Sequence, residues 1–548
     1  MADSIELPRR TLIKALGIGA MATAVPGLLS SCGSGGSGGG SGAGSAGGPA
    51  PWPDYIAFDG PTPELPAGSE ASSNVFLSYP SELVRAVEDK PGDGSGVSIL
   101  LSTTAPPPAP AGENDWWQAV NDALGVDLEL NLAPADAYTD RLAVVMAGGD
   151  LPDVMFIDAF ANPPRFDEFV TSQCQDLTEF LAGDAIADYP HLANLPTYAW
   201  QALGRFEGGL FGIPVPRSLV SNSLLVNRTL LGGVGAQAGW SRDDFAASMT
   251  ELSGTQRWGL AHAPFWHNAV HAAAHGAPNG WREENGGFVS MYELPEFRAS
   301  LEFARELHDA GVYHPESLAL GAPDKQTLFV NQTLVGNADG LTAVPAVVDR
   351  LAGSFELDFA MPYQVSGATA AWHTGAGAYA RLLLKKAPQE RIEMLLRVLD
   401  FLAAPIGTEE YELVRYGVEG THFTRGGAGQ PEPADAAEGK NPALGPISGG
   451  VPVFPGWNAP DEAQRMHAWQ EEIASIAVKD PTRSNGLRSA TASRSGGTLT
   501  ALLEDAVNAV VTGREPMSHW DDTVTTWKSD GGDAIAEEFA ASYAELEG

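Results

Sequence analysis

Cysteine is nearly missing from this chain: 548 residues hold two, Cys32 and Cys174. Neither a paired C-x-x-C nor an H-E-x-x-H occurs, so the spacings that mark common zinc sites are absent. Positive charge is also scarce. Against 69 Asp and Glu stand 32 Lys and Arg, a formal charge of −37. This balance argues against nucleic acid, which needs a basic footprint, and against docking on anionic lipid. The acids are scattered, with no run of five or more, so they read as a solvated surface rather than an acidic tail. Long apolar runs are lacking too: residues 15–29 are mildly apolar but too short and too glycine-bearing to span a bilayer. No internal repeat is visible.

The amino terminus is graded by residue type. Residues 8–14 read PRRTLIK, with the twin arginines Arg9 and Arg10; the short apolar run follows, and then "LSSC", ending at Cys32. This order reads as an export signal over 1–31. Its small-residue cleavage site resembles a bacterial lipobox, whose cysteine carries lipid in the mature protein. Two arginines suit both the route that exports folded proteins and the general secretory route. Residues 32–50, almost pure Gly and Ser after the cysteine, cannot bury apolar surface and read as a tether. The 18 residues of 33–50 reach on the order of 23 Å on average, at about 5–6 Å × √n. With Cys32 acylated, Cys174 reads as a buried structural thiol.

Residues 51–96, rich in Pro, Gly and Ser, read as an extended arm lying over the body. The remainder is long enough to bury a large core and to divide into two lobes. "VSILLS" (97–102) predicts a buried strand, and the spacing over 116–124 a helix, opened by Asn114 or Asp115 and closed by Gly125. "VDLELNL" alternates as a strand does, a second helix runs from Asp136 to the Gly148-Gly149 pair, and "VMFID" (154–158) is a third strand. This β-α-β-α-β order implies a parallel, doubly wound sheet with ligand outside the carboxyl ends of its strands. Further strands are predicted at 210–216 and 223–227, and a helix from Pro295 that Gly311 ends. A strand followed by an amphipathic helix is predicted over 377–405, and a last helix over 499–513.

Catalytic signatures are weak. "GGSGG" (35–39) satisfies G-x-S-x-G, but inside the tether it has no strand before it and no helix after it. "GAGAYA" (375–380) approaches a dinucleotide fingerprint yet precedes its strand. His267, His271 and His275 would share one helix face. The outer pair would lie about 12 Å apart along the axis, and no neighbouring carboxylate or cysteine completes a metal set. No cofactor and no metal are expected. Tryptophan says more. Of 13, Trp116, Trp266, Trp281 and Trp372 stand where strands meet loops, beside Asp115, His267, Arg282 and His373 respectively. Indole faces pack on the C–H faces of sugars while polar neighbours bind the hydroxyls, so these residues are candidates for a carbohydrate cleft. Core packing is the competing role for each indole.

Several longer stretches carry a resemblance. They are "YTDRLAVVMAGGDLPDVMFID", "GGLFGIPVPRSLVSNSLLVNRTLL", "GAPNGWREENGGFVSMYELPEFRASLEFARELHDAGVYHPE", "RYGVEGTHF" and "LLEDAVNAVVTGREPMSHWDDTVTTWKSDGGDAIAEEF". Together they resemble the extracellular solute-binding proteins of family 1, the lipoprotein receptors of ABC sugar importers, in particular the branch that takes complex oligosaccharides. The resemblance covers nearly all of 97–548. It implies an α/β, two-lobed periplasmic-binding-protein fold (class II), each lobe a mixed, mostly parallel sheet flanked by helices, with the ligand cleft between lobes. Lobe 1 would take 97–215 plus about 370–425, and lobe 2 about 216–369 plus 426–548. By matching position it places Arg217 and Asn222 of "PRSLVSN", Asp158 and Trp281 near the cleft. Many relatives carry an aspartate-rich, calcium-like loop before the segment matching "RWGLAHAP"; this chain has "ELSGTQ" there, which speaks against a structural calcium.

The expectation is a monomeric receptor, not an enzyme, lipid-anchored through Cys32 at the outer face of the bacterial cell membrane. It would capture an oligosaccharide by lobe closure and pass it to an ABC permease, without contact to nucleic acid. The alternatives are an extracytoplasmic lipoprotein glycoside hydrolase using paired carboxylates, and a peptide or metal receptor. Overall acidity mildly disfavours a uronate ligand, with the local charge of the cleft deciding.

Overall fold

The computed structural model describes residues 49–547, apart from 104–105, 136, 160–162, 164, 233–239, 262–269 and 448. Cys32, the export signal, Trp266 and His267 therefore lie outside the described residues. Among the described residues, nine strands build the two larger sheets. They are β1 (Gly96–Thr103), β2 (Asp127–Pro134), β3 (Val154–Asp158), β4 (Ile213–Pro216), β5 (Asn222–Asn227), β6 (Trp258–Leu260), β7 (Leu334–Gly340), β8 (Leu357–Phe359) and β9 (Ala378–Leu384).

The first sheet runs β2-β1-β3-β9-β4. Apolar residues run on through β1 because it lies inside the sheet, covered on both faces; Val97, Ile99, Leu100 and Leu101 are all buried. At the sheet edge, β2 instead alternates, exposing Glu129 and Asn131 and burying Leu128 and Ala133. Between them runs the helix Asp115–Leu124. Asn114 opens it by accepting the Trp117 N–H at 3.0 Å, and Gly125 ends it at φ 68°, a left-handed position that favours glycine.

β1 pairs parallel with β2 and β3, as the β-α-β-α-β order predicts, whereas β9 runs antiparallel to both β3 and β4. In the second sheet, β8-β5-β7-β6, the β5–β7 and β5–β8 pairs are antiparallel and β6–β7 is parallel. Both sheets are thus mixed, with more antiparallel pairing than expected. β9 arrives from the second sheet through residues 360–377 rather than through a crossover helix, so nothing imposes the parallel orientation.

Each sheet has its own core. Ile392, Leu395, Leu396 and Leu399 of the helix Gln389–Leu402 pack into the first. The helices Pro295–Asp309, Ala490–Val511 and Met517–Trp527 pack into the second. Leu444 and Ile447 are buried in the first core, and the Asn114 amide donates to the Lys440 carbonyl at 2.8 Å. Residues to about 447 therefore pack with the first sheet. The helix Ala490–Val511 starts earlier than the 499 read from periodicity. Ser489 caps it, and the Glu538 carboxylate accepts the Thr491 N–H at 2.8 Å, which fixes the first turn and carries the helix across Gly496 and Gly497. Ahead of the first sheet, the strand Asn74–Phe76 pairs with Val453–Pro455 and the Val84 N–H donates to Gly407 at 2.9 Å, tying residues 49–96 along the body.

Candidate binding cavity between the two sheets

Residues 217–221, the short link from β4 to β5, run beside a cavity of about 330 Å³. Arg217, Ser218 and Ser221 line it from this link, and Pro214, Val215 and Leu382 from the first sheet. Leu341, Thr342 and Pro345, directly after β7, line it from the second lobe. Tyr411 and Arg415, on the helix Glu409–Tyr416, close another side. Walls drawn from two lobes around one hollow are the usual setting of a small-molecule site, and this volume falls at the lower end of the range of about 300–1,000 Å³.

Arg217 is fixed by its backbone. Its N–H donates to the Gly377 carbonyl at 3.0 Å, and its own carbonyl accepts the Tyr198 hydroxyl at 3.0 Å. Gly377 sits at φ 74°, and a Cβ there would come within 2.6 Å of the Tyr198 ring, so the close approach depends on glycine. The guanidinium lies 4.8 Å over the Tyr379 ring. Burial pulls its pKa below the ordinary arginine value; Tyr379 opposes this and the neighbouring Arg415 charge adds to it. Arg415 donates from Nη1 to the Gly445 carbonyl at 3.1 Å, and a Cβ on Gly445 would stand 2.8 Å from that nitrogen. Between the lobes, the Ser73 and Ser218 hydroxyls meet, and Gln470 braces the link by donating to the Val220 carbonyl at 2.9 Å.

Asp158 ends β3 opposite Ala380 of β9 and lies beside the cavity rather than in its lining. Burial and the Asp158 charge raise the pKa of Tyr379, and Arg217 opposes them, so the Tyr379 phenol feels one carboxylate and one guanidinium. Asn222 begins β5, paired with Gly340, and is not in the cavity lining.

The indoles lie elsewhere. Trp116 is 4% exposed inside the first lobe, its Nε1 donating to the Leu413 carbonyl at 2.9 Å, with the His422 ring 5.3 Å away. Trp372 is equally buried, edge-on to Trp469 at 5.3 Å, and His373 engages the Ala277 carbonyl at 2.8 Å. Trp281 packs half-buried on Trp527 and Phe539, and Arg282 pairs with Glu284 at 2.7 Å. None of the five candidates Trp116, Trp281, Arg282, Trp372 and His373 lines the cavity. Beside Trp116, the Asp115 carboxylate pairs with His422 and Lys440 rather than facing the cavity. Sequence reasoning in turn passed over Tyr411, Arg415 and Thr342. The one signal available was "RYGVEGTHF", which begins at Arg415.

His271 and His275 are buried: His271 bonds the hydroxyls of Tyr363 and Tyr313 at 2.8 and 3.2 Å, and His275 bonds the His271 carbonyl. Among the described residues no group of three His, Cys, Asp or Glu is placed to hold a metal. Cys174 is buried and free, and burial pushes its thiol up to about 12.

Two mixed sheets joined by short links around a shared hollow define a two-lobed solute-binding fold. The alginate-binding protein AlgQ2, solved without calcium ion, superposes on 83% of this chain and 99% of its own with a TM-score of 0.61 at 14% identity. Among curated proteins, the polygalacturonan/rhamnogalacturonan-binding protein YtcQ of Bacillus subtilis is 22% identical over 456 residues, 77% of this chain and 87% of its own length. Lipoprotein LipO of the same organism is 20% identical over 486 residues, 82% of this chain and 93% of its own. No protein-family model matches the chain.

Proposed function

We propose that the protein is the substrate-binding lipoprotein of an ABC importer, capturing an oligosaccharide between its lobes and delivering it to a membrane permease. The observation that carries this is the cavity of about 330 Å³ walled by the end of the first sheet and by residues 341–345 directly after β7. A ligand held there touches both walls only when the lobes are closed, and contacts made in one state alone shift the population toward it. The sugar-binding descriptions of YtcQ and AlgQ2 support the ligand class, and the lipoprotein relative supports acylation at Cys32. Lobe 1 takes 97–215 and about 378–447, and lobe 2 most of the rest. Hydrolysis of a glycoside calls for two carboxylates facing the sugar; this cavity presents two guanidiniums instead.

Isothermal titration against a panel of di- to hexasaccharides, with X-ray scattering and a reducing-end assay on the same samples, tests the reading. One saccharide is expected to bind one-to-one, to shrink the radius of gyration, and to yield no new reducing ends. Thr342→Trp, an exposed position on the second-lobe wall, fills the hollow and is expected to weaken that binding by at least tenfold, about 1.4 kcal/mol. Turnover of the sugar, or no binding across the panel, overturns it.

A further inference from the structure

A chain with a formal charge of −37 lines this cavity with Arg217 and Arg415 and, among the described residues, with no Asp or Glu side chain. Several arginines of this fold rest on carboxylates, among them Arg391 on Asp153 at 2.8 Å and Arg425 on Glu412 at 2.6 Å. The two cavity arginines are held differently. Arg217 has the Pro216 carbonyl and the Tyr379 ring, and Arg415 the Gly445 carbonyl. Each is braced by neutral groups, close enough to the other for the charges to repel, and leaves donors over for a ligand. Arg217 is half-buried and Arg415 exposed, and two like charges facing one hollow favour an anion between them. A guanidinium fork matches a planar carboxylate in two parallel hydrogen bonds. Around the pair stand the hydroxyls of Ser218, Ser221, Thr342 and Tyr411, which suit a sugar's hydroxyls.

Resting on the receptor reading above, we infer that the ligand is an acidic oligosaccharide of the uronic-acid class, with a carboxylate engaged by Arg217 and Arg415. The local charge of the cavity thus reverses the preference suggested by overall composition.

The test compares uronic-acid oligosaccharides (oligogalacturonate, oligoguluronate) with their methyl esters, which keep the ring and linkage and lose the charge. Titration of the full folded domain is expected to show at least tenfold tighter binding of one acid than of its ester. Arg217→Gln and Arg415→Gln are each expected to reduce that acid-to-ester preference at least tenfold, and Arg217→Lys and Arg415→Lys to reduce it less. Melting curves without ligand confirm that each variant is folded. A variant that does not fold is replaced by the salt dependence of the wild type, whose acid binding must weaken with ionic strength while ester binding holds. Equal affinity for acid and ester, or tighter binding of a neutral or sulfated saccharide, overturns the inference and leaves the receptor standing. No binding of any saccharide overturns both.

Discussion

Asp153 shows what a carboxylate needs in order to remain charged inside this protein. It precedes β3 and is 5% exposed. One oxygen accepts from the Ser98 N–H at 3.0 Å and from Arg391 at 2.8 Å, and the other from Lys385 at 3.1 Å. Burial alone would raise its pKa; the Ser98 hydrogen bond and the two cations outweigh burial and hold it below the ordinary aspartate value. A folded-state pKa below the unfolded one stabilises the fold above the unfolded value of about 3.9, and that contribution is lost as pH falls through the lower folded value. Asp153→Ala is expected to cost about 3 kcal/mol at pH 7, the low end for a broken buried pair, because Arg391 and Lys385 keep some access to water. Urea unfolding checks this: the gap between wild type and variant should narrow below pH 4, and a gap constant from pH 7 to pH 3 removes the ionic explanation.

For elements, the informative contrast is between what is decided locally and what is assembled. The helix Asp115–Leu124 is decided locally, by one buried residue at its start. Asn114 accepts from the Trp117 N–H and donates to the carbonyls of Ala109 and Lys440, at 3.2 and 2.8 Å. Asn114→Ala loses a cap, about 1 kcal/mol. It also strands two carbonyls in part-buried surroundings, bringing the expected total to about 2–3 kcal/mol. Asn114→Asp keeps the cap and loses the donors, so its melting temperature should fall between the two; equality with Ala would deny the cap any share. Caps, glycine stops and apolar periodicity of this kind made β1, β2, β3 and their connecting helix readable from the chain. The antiparallel entry of β9 was not readable, since it depends on where the chain returns from. Nor was the cavity, whose wall gathers residues 217–221, 341–345, 411–415 and 445–455 by topology alone. Arg217 was within reach only because "PRSLVSN" resembled a known motif, while Trp116 and Trp372, singled out by their sequence neighbours, are buried in the core.

At the scale of the whole molecule, net charge and the proposed membrane attachment pull against each other. A formal charge of −37 repels an anionic bilayer surface, and no helix among the described residues is long and apolar enough to cross a membrane. Under the proposed receptor reading the attachment is an acyl anchor, and Cys32 in "LSSC" is the residue whose sequence setting provides for it. Acyl chains contribute about 0.8 kcal/mol per buried CH₂, and two or more together hold a protein stably where one does not. In a bacterium that processes lipoproteins, the wild-type protein is expected in the membrane fraction and in the detergent phase on partition. A 1 M salt wash should leave it there, because screening weakens only electrostatic attachment. Cys32→Ser is expected to move it to the extracytoplasmic soluble fraction with its saccharide binding unchanged, since the cavity begins more than 30 residues further along the chain, at Ser73. Release of the wild type by salt would place the attachment on charge instead, and retention of Cys32→Ser would place it on another apolar segment; either outcome removes the anchor from Cys32.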